Sequence, residues 1–134
     1  MDDTPTDEAP APRGDLALRT LAMPADTNPS GDIFGGWVMA QMDIAGGITA
    51  GARARGRVAT IAVTGFTFHK PIHVGDVVCC YTEVVKVGRT SLTMLVEAWA
   101  LRRREAGTRV KVTDGTFTFV ALNDDGTKRQ VPPE

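Results

Sequence analysis

One carboxylate stands inside an apolar run. Residues 35–50 read GGWVMAQMDIAGGITA, and Asp43 is the sole ionisable side chain among them. A carboxylate in apolar surroundings is expensive to bury unless it is paired, hydrogen-bonded or used. Asp43 is therefore the first place to look for chemistry, as a general base on water or as a nucleophile. Eight residues earlier stand Gly35 and Gly36. On a helix that spacing is about two turns, so Asp43 projects from roughly the same side as the glycines. Backbone N–H groups at a helix start favour negative charge, and glycine lets another group approach the backbone closely. The plain alternative for Asp43 is a structural carboxylate that caps a neighbouring loop.

The run itself reads as a helix. No proline interrupts it, and Trp37, Gln41, Ile44 and Ile48 fall at helical spacing. Val38, Met39, Met42 and Ala45 cover the other faces, and a helix apolar all round is normally buried. At roughly 25 Å, from about 1.5 Å per residue, it is short and glycine-rich for a membrane span. Gly51 and the basic segment 53–57 are expected to end it. Residues 1–13 combine prolines and acids with little apolar content and read as a disordered tail. Residues 16–23 make a first strand closed by Pro24, and 26–32 a turn-rich loop into the helix.

After the helix the hydrophobic period becomes alternating. Strands are expected over 58–68, 77–87, 91–103 and 110–122, with a tight hairpin at 88–90. The inward parity of the last strand switches from Val110 and Val112 to Phe117 and Phe119, which predicts a bulge near Gly115. The folded domain then covers 14–124, followed by a polar tail over 125–134. One strand, a helix and four strands in antiparallel meander make an α+β fold. A single sheet covers only part of such a helix, so it must curl, or a second copy must help. An antiparallel β-sheet wrapped around one long central helix is the hotdog fold, and its open edges favour dimers.

Composition narrows the functional classes. A chain of 134 residues with 43% hydrophobic content is one domain with a genuine core. A net charge of −1 makes no case for nucleic acid or an anionic membrane. Cys79 and Cys80 are adjacent, so on a strand they point to opposite faces and are poor disulfide partners. Unbridged thiols suit a reducing cytoplasm. Together with two histidines they offer too few ligands for a metal site. The acidic, proline-rich N-terminus is unlike a signal peptide.

The blocks MPADTN (23–28), GDIFGGW (31–37) and QMDIAG (41–46) closely resemble the YciA-like acyl-CoA thioesterases of the hotdog superfamily. FTFHKPI (66–72) and VGDVVCCY (74–81) strengthen the resemblance, which runs from about residue 16 to 122. It implies a cytoplasmic hydrolase that converts fatty-acyl-CoA to free acid and CoA. It also implies dimers that associate into a hexamer, a trimer of dimers. Coenzyme A is part of the substrate, and no cofactor is implied.

Under that implication Asp43 is the general base or nucleophile, and Gly35 and Gly36 supply the amides that hold the oxyanion. Asn28 would orient the loop or a water, although Asn28 and Asp32 also read as ordinary turn and cap residues. The hairpin Gly88, Arg89, Thr90 and Ser91 falls where the family places a CoA-contacting loop. Arg89 is the first choice for the phosphates, with residues 102–104, Lys70 and Lys86 as further cations. Trp37, Phe66 and Phe68 are expected to line an acyl tunnel or to pack the core. His69 and His73 flank Pro71 and read as surface histidines. Two other functions fit less well. The acid at Asp43 argues against a non-catalytic acyl-CoA-binding module, and a hotdog dehydratase wants a histidine paired with an acid.

Overall fold

The computed structural model describes residues 11–102 and 107–134. Strand β1 (Asp15–Leu21) is followed by a short 3₁₀ turn, Pro24–Asp26, and helix α1 (Gly35–Ala54). Strands β2 (Val58–Thr64), β3 (Val77–Val87), β4 (Ser91–Arg102) and β5 (Thr108–Ala121) complete the chain. They form one five-stranded sheet in the order β1-β3-β4-β5-β2, antiparallel at every step. This is the α+β hotdog arrangement, with a single long helix packed on one sheet face.

Alternation in β4 explains the packing. Leu92, Met94, Val96, Ala98 and Ala100 are fully buried toward the helix, as period-2 side chains on one face should be. The helix lays Val38, Met42, Ala45, Ala50 and Ala54 on them, and β5 adds Phe117 and Phe119. Small residues bring the helix down close to the sheet. A Cβ built on Gly46 would lie 3.0 Å from two carbons of the Phe119 ring.

Several expectations need correction. The helix is buried on one face only: Ile44 and Ile48 are 51% and 52% exposed, and Met39 is exposed beside them. It passes through Gly51 to Ala54 and ends inside the basic 53–57 segment, as expected. The stop comes from Arg55, held left-handed at φ 56°, whose N–H bonds back to Ala52 and Gly51 carbonyls. Strand β2 stops at Thr64 rather than 68, where Gly65 turns the chain at φ +81°. Nor does β2 join a four-strand meander. It returns to the far edge against β5, so only β3, β4 and β5 are consecutive neighbours. The bulge in β5 lies at Val112 rather than Gly115, because Ala98 faces Thr113 while Trp99 already faces Lys111.

The ends also pack. Arg13, counted with the tail, donates its backbone N–H to Glu97 Oε1 at 3.1 Å. Residues 125–134 fold back: Arg129 reaches the Ala54 and Leu122 carbonyls, and Val131 is buried. On the outer sheet face Trp99 is buried and donates Nε1–H to Glu97 Oε1 at 2.9 Å. Cys79 and Cys80 are both buried free thiols. Burial, and then the neighbouring Cys79, pushes the Cys80 thiol up to about 12.

Candidate active site

The loop before the helix is fixed by its own turns. Asn28 Oδ1 accepts the N–H groups of Ser30 at 2.9 Å and Asp32 at 3.1 Å. Phe34 N–H bonds to the Asp26 carbonyl at 3.0 Å. Asn28 therefore holds the loop with its oxygen, and its Nδ2 has no acceptor among the described residues. The helix then starts without a side-chain cap, because Phe34 at the N-cap has nothing to offer. Trp37 and Val38 N–H bond back to the Phe34 carbonyl at 3.1 and 3.3 Å. The amides of Gly35 and Gly36 have no acceptor among the described residues. These are the orphan donors that every helix start carries, here bare of side chains.

Gly35, though not Gly36, lines a cavity of about 370 Å³. Gly35, Val38, Ile33 and Asp32 form its helix side, and residues 68–72 form the opposite wall. A Cβ on Gly35 would meet the Phe68 ring at 3.5 Å, while one on Gly36 would meet nothing within 4 Å. Of the three aromatic candidates only Phe68 lines this cavity. Phe66 is seated on Gly115, whose added Cβ would lie 2.8 Å from the ring, and it meets Phe117 edge-on. Trp37 packs against the core. The far wall hangs from β5 by His69 N–H to the Val112 carbonyl and Thr113 Oγ1–H to the Thr67 carbonyl.

Asp43 stands half-buried in mid-helix. Its Oδ1 accepts from Thr60 Oγ1 at 2.6 Å, and Oδ2 has no partner among the described residues. The carboxylate thus faces the edge strand β2 and does not line the cavity. The same helix and strand also carry the exposed apolar side chains Ile44, Ile48, Ile61 and Val63.

The hairpin at Gly88, Arg89, Thr90 and Ser91 is elsewhere. The Arg89 carbonyl takes the Val131 N–H, and the Thr90 carbonyl takes that of Ala121. Ala121 faces Val58, which closely follows the C-terminal end of α1. The hairpin and the two glycines therefore lie toward opposite ends of a helix about 30 Å long, and one chain does not bring them together. Arg89 is exposed, with no ion-pair partner among the described residues. Of the other cations, Lys70 lies on the cavity rim and Lys86 is exposed. Arg102 is corrected outright: it is buried and paired with Asp76 at 3.2 Å, so it is not offered to a phosphate. Residues 103 and 104 lie outside the described residues. His69 and His73 are exposed, as expected.

One residue escaped the sequence reading altogether, Thr60, and the sequence presents Arg102 as a phosphate cation rather than a buried one. Thr60 sits in VATIAVT, where threonine is an ordinary strand former and carries no signal of its own. Among the described residues no helix is long and apolar enough to cross a membrane.

The comparisons with known proteins agree with the fold. A family model described as "Thioesterase superfamily" matches residues 30–106. The acyl-CoA thioester hydrolase YciA of Escherichia coli K12 is 52% identical over 125 residues, covering 92% of this chain and 95% of that protein. A solved hexameric broad specificity acyl-coenzyme A thioesterase is 53% identical with a TM-score of 0.88, covering 93% of this chain and 86% of that one. A solved hexameric thioesterase from Yersinia pestis is 52% identical with a TM-score of 0.87, covering 92% and 100%.

Proposed function

The chain belongs to the thioesterase superfamily, and from that premise we propose that it is an acyl-CoA thioester hydrolase with Asp43 as its working carboxylate. The observation that carries the assignment is the helix start. Two glycine amides stand without acceptors among the described residues, Gly35 lines a largely apolar cavity, and two turns along the same helix an acid keeps one oxygen unpartnered.

In the general-base route Asp43 Oδ2 takes a proton from water as the water oxygen bonds to the thioester carbonyl carbon. Asp43 lies about 12 Å along the helix from Gly35, so the Gly35 and Gly36 amides that receive the developing oxyanion would be those of a second copy facing Asp43, where such donors typically contribute about 3–4 kcal/mol each. The C–S bond then breaks, the CoA thiolate takes up the proton, and the free acid leaves. In the covalent route the carboxylate attacks the carbonyl itself, expels the thiolate and forms a mixed anhydride that water hydrolyses. Neither route asks for a cofactor, since coenzyme A arrives as part of the substrate. Phe68 would contact the acyl chain and Arg89 the CoA phosphates.

The working form is a homo-oligomer, a dimer at least and a hexamer by likeness to the solved relatives. The support is the exposed apolar face of α1 together with the unpaired β2 edge, which a monomer would leave in water. A second copy there would close over Asp43. It would also account for a hairpin that its own chain leaves far from the helix start. Two buried unbridged thiols suit a cytoplasmic setting.

Asp43→Asn tests the assignment. Asparagine keeps the size and still accepts from Thr60, but neither takes a proton efficiently nor attacks. Turnover of a medium-chain acyl-CoA should fall by about 10²–10⁴, with thermal midpoint and CoA affinity unchanged on the same preparation. Near-normal turnover in a folded variant refutes the catalytic role and favours a binding module instead.

A further inference from the structure

The far wall of the cavity is held from behind by a buried cation. Arg102, at the end of β4, is about 8% exposed. Its Nη2 donates to the Pro71 carbonyl at 2.6 Å, and Nη1 donates to Asp76 Oδ2 at 3.2 Å. The same Asp76 oxygen also accepts the His73 N–H at 2.9 Å. One guanidinium therefore ties both ends of the 71–76 segment to the last turn of the sheet. Pro71 and Ile72, the near end of that segment, line the cavity opposite Gly35 and Val38.

A buried charge is costly unless fully paired, so a surface loop tied down in this way is unusual. The planar fork fits two acceptors at once, which an ammonium does not reproduce. The core alone holds Ile72, and the β5 bonds already hold residues 67–69. Pro71 itself has no amide to donate. Its carbonyl bond to Arg102 is the polar contact that sets where the wall stands at this point.

We propose that Arg102 is a positioning residue for acyl-chain selection: clamping the Pro71 carbonyl fixes the cavity width between the 68–72 wall and the start of α1. This rests on the thioesterase reading, in which that cavity receives the acyl chain. Arg102 touches no substrate and acts through the wall alone.

The test is Arg102→Lys, which keeps a cation for Asp76 but drops the second prong. Steady-state constants are measured over an acyl-CoA series from two to twelve carbons, about the reach of such a cavity. The variant should raise KM for medium chains by about tenfold, with kcat within about threefold and acetyl-CoA little affected, because a ground-state wall contact is lost and the reacting groups stay in place. An equal loss at every chain length, alongside a lower thermal midpoint, would make Arg102 merely structural and overturn the proposal. Should the lysine variant not fold, Asp76→Asn asks the same question. It still accepts from His73 but withdraws the counter-charge, and an unchanged chain-length profile in it also overturns the proposal. A wild-type protein without hydrolysis would instead sink the thioesterase reading, so the two failures are distinguishable.

Discussion

Two adjacent glycines in the middle of α1 should respond oppositely to the same change. A Cβ on Gly46 falls 3.0 Å from two Phe119 ring carbons and 3.4 Å from Val96 Cγ2. Phe119 is 2% exposed and Val96 fully buried, so neither can swing aside into solvent. Inserting a methyl into a packed site of this kind costs about 1–3 kcal/mol. Alanine in a helix interior returns about 0.8–1 kcal/mol over glycine. The net for Gly46→Ala is a loss near 1 kcal/mol, or roughly 3–5 °C in thermal midpoint for a chain of this size. At Gly47 the nearest atom is Phe119 Cε2 at 3.8 Å, an ordinary contact, and only the helix term remains. Gly47→Ala should therefore raise the midpoint by a few degrees. The assay is thermal and urea unfolding of both variants at one protein concentration, since an oligomer's midpoint depends on it. Gly46→Ala also lifts the helix three residues from Asp43, so its turnover should drop while that of Gly47→Ala holds. Equal stabilisation by both alanines would refute the close-approach argument.

Thr60→Val keeps the shape of the side chain and removes the hydroxyl that donates to Asp43. Its kcat should fall about tenfold with KM within twofold, because a misoriented carboxylate weakens the transition state while substrate binding is untouched; unchanged steady-state kinetics would exclude Thr60 from the site. Arg89→Ala should raise KM for acyl-CoA about tenfold at low salt with kcat intact, and the gap should narrow as ionic strength rises. Titrating KM against salt in both proteins checks this.

Much of the fold was legible because local signals coincide with its boundaries. Strand β3 runs over 77–87 as the alternation predicts, bounded by turn residues on both sides. Asp43 stood out for the same local reason, a charge where the surrounding pattern is apolar. What sequence did not carry is pairing across distance. That β2 lies beside β5 depends on the sheet as a whole, and no residue in VATIAVT encodes it. The one-sided burial of α1 is equally non-local: Ile44 and Ile48 are apolar because something outside the chain covers them, on the oligomer reading. Arg102 looked like one of three adjacent arginines in solvent. Only the fold reveals that its carbon stem turns inward and its charge meets Asp76. Val112 took the bulge because β4 and β5 must keep Ala98 and Phe117 both facing the helix, and parity alone located that slip three residues too late.

The paired thiols of β3 carry a practical consequence. With its pKa pushed up to about 12 by burial, Cys80 stays a thiol at neutral pH, whereas the thiolate is the reactive form. It sits between Leu18 and Ala98 on the neighbouring strands. Its side chain packs in the core with the residues of α1, so an alkylating or oxidising reagent reaches it only after the helix has lifted from the sheet. The rate at which that sulfur is modified therefore times the parting of helix and sheet, and the molecule carries its own clock for how long it stays folded.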